Sequence, residues 1–231
     1  MHERVQAILT VQKDAIEVGI NKMDRLTETI DEETFEQIRT FEYRSVHAPV
    51  DVRYPSQESE TLMPKLLHVI EKVQAHTVVV HPDIVDDFTY LAECFGDKLA
   101  IENSDNRKSF GQTVEDMERV FEAIPKAGWI CDVNHFYTID STMKIADAFH
   151  ERFEDRLRHY HISAYQGHHN PFVCYEPGSE DAIIRGIKRT DIPLIHEGGT
   201  SGINAGLLTR ERNYILERLQ LIHKVLISSP Y

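Results

Sequence analysis

Short runs of β-branched and other apolar residues recur along the chain, separated by longer stretches whose apolar positions fall three and four apart. The first pattern is that of buried strands, the second that of amphipathic helices. Strands are expected at 5–9, 15–20, 43–48, 77–81, 99–103, 129–133, 158–163 and 192–197. Leu62, Leu66, Ile70 and Val73 mark one helix; Val114, Met117, Val120, Phe121 and Ile124 mark a second. Ile145, Phe149 and Phe153 mark a third, and Ile215, Leu219, Ile222 and Leu226 the last. Gly96, Gly128 and Gly186 stand near the expected helix ends, where glycine adopts left-handed backbone without penalty.

Alternation of this kind means parallel strands joined by crossover helices. About eight strands in 231 residues predict an α/β chain folded as a TIM-type (β/α)8 barrel. An open doubly wound sheet would want a glycine-rich phosphate loop after its first strand, and the sequence has none there. Too few residues separate Leu9 from Ala15 to hold a full helix, so either the first β/α unit is reduced or residues 5–9 are not a strand. No linker, repeat or low-complexity tract interrupts residues 1–231, which are expected to form a single domain.

Composition narrows the function classes. A content of 41% hydrophobic and 27% charged residues is ordinary for a globular domain. The formal net charge of −13 repels phosphate backbones, which makes nucleic acid an unfavoured partner. Arg152, Arg156 and Arg158, then Arg185, Lys188 and Arg189, are scattered in the manner of solvated helix faces. Three cysteines without CxxC spacing make no disulfide framework, so a reducing, cytoplasmic setting is expected. There is no signal-peptide core and no apolar stretch approaching the ~20 residues of a membrane helix, so no membrane partner is expected. A homo-oligomer is left open.

The chemistry lies where the apolar runs end. Val78-Val79-Val80 runs into His81, Leu99-Ala100-Ile101 into Glu102, and Trp129-Ile130-Cys131 into Asp132. Tyr160 precedes His161, Ile195-His196 precedes Glu197, and Ser45-Val46 precedes His47. Any one such residue is more often a helix cap or a satisfied core group than a ligand. Six on six strands is different, because strand C-termini of a barrel converge on one mouth. Carboxylates crowded there repel one another unless protonated or neutralised by a cation. Carboxylate oxygens mixed with neutral imidazoles suit Zn²⁺, Mn²⁺ or Fe²⁺ better than Mg²⁺ or Ca²⁺. One or two divalent ions per chain, zinc or manganese, are therefore expected. Asp132 and His135 form Asp-x-x-His, a spacing expected to turn both toward the same pocket in a tight loop. His169, in His168-His169-Asn170-Pro171, is a further candidate. Cys131 and His196 are expected to face away from the mouth by strand alternation. Cys174 is expected to be an inert thiol, and His68, His150 and His223 to be structural or exposed.

Seven stretches carry a resemblance in order: Ala15-Ile16-Glu17-Val18, His47-Ala48-Pro49, Val79-Val80-His81-Pro82, Ala100-Ile101-Glu102-Asn103, Cys131-Asp132-Val133-Asn134-His135, Tyr160-His161-Ile162-Ser163 and Ile195-His196-Glu197-Gly198. Together they resemble the xylose isomerase-like TIM-barrel superfamily, which holds sugar isomerases and epimerases together with endonuclease IV. The resemblance implies that Glu102, Asp132, His161 and Glu197 bind a metal. It also implies that Glu102 and Glu197 are catalytic, shuttling a proton beside a carbonyl through an enediolate, and that His135 contacts a substrate hydroxyl. A metal that polarises the substrate oxygens and a placed carboxylate that takes the proton are the chemistry such a reaction needs. Arg53 or Arg107 could hold a phosphate or carboxylate. In the endonuclease IV branch the residues matching His47 and His81 are ligands too, but Gly167 stands where that branch has a ligating aspartate. The expected function is a metal-dependent isomerase or epimerase of a small sugar or sugar phosphate. The alternatives are an endonuclease IV-like zinc phosphodiesterase and a barrel that binds a metal or ligand without turnover.

Overall fold

The chain opens with a helix, α1 (His2–Leu9), where the pattern predicts a strand at 5–9. Val5, Ile8 and Leu9 are spaced three and four apart, and on a helix they form one stripe against the core. The computed structural model describes residues 1–20, 22, 30–165, 167, 169–174, 180–198 and 204–228. The expectations for His168, and for the side chains of Cys174, Ile222, His223 and Leu226, fall outside what is described.

From there strand and helix alternate: β1 (Ala15–Gly19), α2 (Glu32–Arg39), β2 (Tyr43–His47), α3 (Gln57–Val73), β3 (Thr77–Val80), α4 (Phe88–Phe95), β4 (Leu99–Glu102), α5 (Val114–Ala123) and β5 (Gly128–Asp132). Two helices, α6 (Val133–Ile139) and α7 (Lys144–Phe153), come before β6 (Leu157–Ile162). A short antiparallel pair, β7 (Ala164–Tyr165) with β8 (His169–Asn170), is followed by α8 (Glu180–Arg185), β9 (Leu194–His196) and α9 (Ala205–Ser228). Helix starts are fixed by local side chains. Asp31 accepts from Thr34 N at 2.7 Å, Thr113 from Asp116 N at 3.2 Å, and Ser56 and Ser59 form a capping box.

Among the described residues the barrel sheet has seven parallel strands in the order β1-β2-β3-β4-β5-β6-β9. The TIM-type barrel is as expected; among the described residues the strand expected at 5–9 is a helix, which leaves seven. The N-terminal unit is thus reduced to a helix without its strand, and β1 with α2 is the first strand–helix pair of the sheet. β1 and β9 touch across the remaining seam without belonging to one ladder. A cavity of ≈ 600 Å³ lies at this seam, lined by Ile8, Glu17, Ile192, His196, Glu211 and Ile215 among others. Gly128 opens β5 rather than ending a helix, and a Cβ there would run into the Arg158 side chain.

Strand alternation divides the side chains between two environments. Val18, Val46, Val78, Val80, Leu99, Ile101, Trp129, Tyr160 and Ile162 belong to the core between strands and helices. Val79, Ala100 and Ile130 form a separate small apolar cluster, one position over on β3, β4 and β5. These face the barrel interior together with Glu17, Ser45, His159 and His161, which touch one another. The interior of this barrel is therefore apolar along one wall and polar along the other. Cys131, on the outward face, lies 3.8 Å from His150 Nε2, and His196 pairs with Glu211 at 2.8 Å, so both point away from the mouth as expected. His150, buried in α7, donates from Nε2 to the Gly186 carbonyl at 3.2 Å, a structural position. No helix of the described residues is long and apolar enough to cross a membrane.

Candidate metal centre

Glu102 closes β4 at 1% exposure and stands at the middle of the mouth. Its Oε2 lies 3.2 Å from His47 Nε2, at the end of β2, and 3.1 Å from His81 Nε2, just beyond β3. Its Oε1 lies 3.3 Å from His135 Nδ1 and 3.3 Å from His161 Nδ1. Glu197, immediately after β9, approaches the same His161 Nδ1 at 3.2 Å and His169 Nδ1 at 3.8 Å. Asp132 closes β5, with Oδ2 3.4 Å from His135 Nε2. The eight predicted residues, Glu102, Asp132, His161, Glu197, His47, His81, His135 and His169, are thus brought together by the strand ends that carry them. The Asp-x-x-His spacing acts through the first turn of α6 rather than through a loop. Asp132 caps that helix by accepting from His135 N at 2.9 Å, and the turn swings His135 back over the mouth.

Hydrogen bonds behind the imidazoles decide which nitrogen each presents. His47 Nδ1 meets the Ala48 carbonyl at 2.9 Å, and His135 Nδ1 meets the Asn103 carbonyl at 2.7 Å. A carbonyl only accepts, so both Nδ1 atoms carry hydrogen and both Nε2 atoms are left to act as donors to a metal. Asn103 also ties β4 to β5, giving Nδ2–H to the Asp132 carbonyl and accepting from Asp132 N, each at 2.9 Å. His169 Nδ1 meets Ser163 Oγ at 2.8 Å.

The electrostatics of the cluster follow from burial set against mutual charge. Burial alone would raise the Glu102 carboxyl, but His81 and His161 hold it well below the usual carboxylate range. For Glu197 burial wins: its carboxyl rises to about 7, with Glu102 and Asp132 adding to the effect against the pull of His161. Burial opposes a charged His47, yet Glu102 and the neighbouring carboxylates push it up to about 9; His161 is likewise held well above its ordinary value. His81 and His169 are lowered, chiefly by burial. The protein balances its buried carboxylates by keeping protons on histidines, the same positive charge a divalent cation would supply.

The donors fit such a cation. Asp132 Oδ2 and His161 Nδ1 are buried without a hydrogen-bond partner. Among the described residues five overlapping sets have ligand atoms within 4.8 Å of one another: His47, His81 and Glu102; Glu102, Asp132, His161 and Glu197; Asp132, His135 and His169; Glu17, His159 and His161; and Glu17, His47 and Glu197. Oxygen and imidazole donors in these numbers match zinc or manganese chemistry.

Two residues of the site escaped the sequence reading. Glu17, inside β1, has Oε1 3.2 Å from His161 Nε2, and His159 Nε2 lies 3.0 Å from the same nitrogen. The signals were an acid in the middle of an apolar strand and a His-x-His spacing that puts both rings on one face of β6. Arg53 pairs with Asp86, and Arg107 pairs with the buried Asp105. The scattered basic residues are likewise engaged in local pairs, Arg152 with Glu118, Lys188 with Asp147 and Arg189 with Asp191.

No protein-family model matches the chain, and no curated protein matches it in sequence. Solved structures do match in shape. A xylose isomerase domain containing protein from Salmonella typhimurium LT2 superposes with a TM-score of 0.63 at 13% identity, over 94% of this chain and 91% of that one. The IolI protein with a binding zinc atom gives 0.63 at 12% identity, over 94% and 92%. D-psicose 3-epimerase in the presence of D-fructose gives 0.59 at 12% identity, over 99% and 94%. The chain has the fold of the xylose isomerase-like TIM barrels.

Proposed function

We propose that this protein is a metal-dependent isomerase or epimerase acting on a small sugar or sugar phosphate. The observation that carries the reading is two carboxylates of opposite character on one imidazole nitrogen. Glu102 and Glu197 lie 3.3 and 3.2 Å from His161 Nδ1, one held ionised and the other raised to about 7. Moving a proton at a carbon beside a carbonyl needs a group that can gain and lose it near neutral pH. Glu197 is that group, and its side chain is 22% exposed where Glu102 is 1% exposed. As a carboxylate Glu197 takes the proton from carbon, and as the acid it returns the proton to the enediolate, while Glu102, held ionised, stays charged beside it. His135 offers its Nε2 to a substrate hydroxyl. A divalent cation held by Glu102, Asp132, His161 and Glu197 would polarise the substrate oxygens and stabilise the enediolate charge. The isomerase domain and epimerase among the solved relatives support this class by fold analogy.

The test is solvent deuterium exchange into a panel of ketoses, aldoses and their phosphates, with zinc or manganese supplied. Wild-type protein is expected to place deuterium on the carbon beside the carbonyl of at least one of them. Glu197→Gln, which removes a charge and a proton acceptor but little volume, is expected to abolish exchange while the protein stays folded. Exchange that survives in Glu197→Gln would assign the shuttle elsewhere.

A second reading rests on the sharing of carboxylates. Glu102 belongs to two candidate ligand sets and Asp132 to two, the arrangement a multinuclear site requires. Two or more ions held by these residues would suit hydrolysis of a phosphodiester, supplying positive charge to both the attacking and the leaving oxygen. Elemental analysis of protein purified without chelator separates the two. One exchangeable manganese per chain supports the isomerase; two or three tightly held zincs support the hydrolase. Absence of metal after purification with divalent ions present would leave only a ligand-binding barrel.

A further inference from the structure

Below the mouth, the polar wall of the barrel holds a chain of hydrogen bonds that ends on His161. Tyr43 Oη donates to Thr77 Oγ1 at 2.7 Å and meets His159 Nδ1 at 2.8 Å. With its one hydrogen given to Thr77, Tyr43 can only accept from His159, so His159 Nδ1 carries hydrogen and a neutral His159 has a bare Nε2. That bare nitrogen faces His161 Nε2 at 3.0 Å. Glu17 faces the same His161 Nε2, with Oε1 at 3.2 Å and Oε2 at 3.3 Å, while Ser45 Oγ donates to Glu17 at 2.7 Å. Two acceptors thus converge on one imidazole nitrogen, and the arrangement is satisfied when His161 Nε2 carries hydrogen.

We infer that the Tyr43–His159–Glu17 relay is a positioning device that fixes hydrogen on His161 Nε2 and so reserves His161 Nδ1 as the metal donor. The inference rests on the metal-binding reading above. His161 Nδ1 is the atom that faces Glu102 and Glu197 and has no hydrogen-bond partner. A carboxylate behind a ligating imidazole sets its tautomer, holds its ring plane and strengthens it as a donor. Neither Tyr43 nor His159 touches Glu102, Asp132 or Glu197 in any recorded hydrogen bond or ion pair among the described residues, so the relay acts through His161.

Zinc titration against a competing chelator is the first measurement, made on wild-type protein, Glu17→Gln, Tyr43→Phe and Glu102→Gln. Glu17→Gln is expected to weaken zinc about 10- to 100-fold, the range seen when a second carboxylate behind a ligand is removed. Tyr43→Phe, which frees His159 to carry hydrogen on Nε2 and compete for Glu17, is expected to weaken zinc several-fold. The thermal midpoint of the metal-free Tyr43→Phe protein is expected to fall, because Thr77 and His159 lose a partner, but a purely structural role would leave the zinc affinity of the folded variant unchanged. The second measurement is long-range proton–nitrogen correlation on the histidine rings, in which His161 Nε2 is expected to carry hydrogen with and without zinc. Unchanged zinc affinity in both relay variants, or a bare His161 Nε2, would overturn the inference. Loss of one bound zinc on His159→Phe with the others retained would also overturn it, by making His159 a ligand. If wild-type protein and Glu102→Gln both fail to bind zinc, the metal reading falls, and the nitrogen that keeps hydrogen when metal-free His161 is brought to its neutral form at high pH still decides the relay, Nε2 supporting it and Nδ1 overturning it.

Discussion

Asp132 has two roles that substitution can pull apart. One carboxylate oxygen caps α6 by accepting from His135 N, and the other, unpartnered, points into the ligand set. Asp132→Asn keeps an oxygen for the cap and loses the charge; Asp132→Ala loses both. Both variants are expected to bind zinc much more weakly. Only the alanine variant is expected to lose stability in the metal-free protein, by about 1 kcal/mol, the usual worth of an N-cap. Urea unfolding without metal, set beside zinc titration, checks the separation. At this scale the sequence was most legible where a polar residue ends an apolar run, as at His81, Glu102, Asp132 and Glu197. Glu17, His159 and Tyr43 were harder to see because they sit inside strands, where a polar residue carries no positional mark. Their meaning comes from neighbours on other strands, Tyr43 reaching His159 from a position 116 residues away.

At the scale of elements, α7 presses His150 against β5 and the end of α8. The ring is 6% exposed, its Nδ1 has no partner, and burial lowers it to about 4. A histidine whose folded value lies below its unfolded value of ~6.5 binds fewer protons in the native state than in the unfolded one. Its effect is flat above pH ~6.5, and stability falls as pH drops from there toward 4. The loss between pH 8 and pH 5 comes to about 2 kcal/mol from this residue. Denaturant unfolding of wild type and His150→Gln at the two pH values checks it. The variant is expected to show a smaller drop by about that amount, and equal drops would show that His150 is not the source. Helix α1 illustrates a different limit. Val5, Ile8 and Leu9 in a five-residue window satisfy a strand pattern and a helical one alike, and only packing against the core decides between them.

For the whole molecule, the dominant fact is that carboxylates and imidazoles from the ends of six barrel strands, from α6 and from β8 share one small volume. A metal that binds the folded chain and not the unfolded one stabilises it by about 2.7 kcal/mol when its free concentration is 100 times the dissociation constant. Zinc is therefore expected to raise the thermal midpoint, and chelator to return it to the metal-free value. A scanning measurement with no shift at saturating zinc would mean that the cluster is satisfied by its own protons. Strand–helix alternation made the barrel legible before any contact was known. The seam was less so: the short spacing from Leu9 to Ala15 marked this end as irregular, but only packing decides that residues 5–9 are a helix.

The division of the barrel interior bears on how this sequence can change over generations. Val79, Ala100 and Ile130 form an apolar wall that tolerates substitution by residues of similar size, one at a time, each at modest cost. Along the other wall Thr77, Tyr43, His159, Glu17 and Ser45 satisfy one another. Removing one strands a buried polar partner, whereas exchanging several together for apolar groups leaves none stranded. Drift on the first wall can proceed by independent steps. On the second, single replacements are mutually dependent, and the route to any new arrangement passes through a compound change that also surrenders His161.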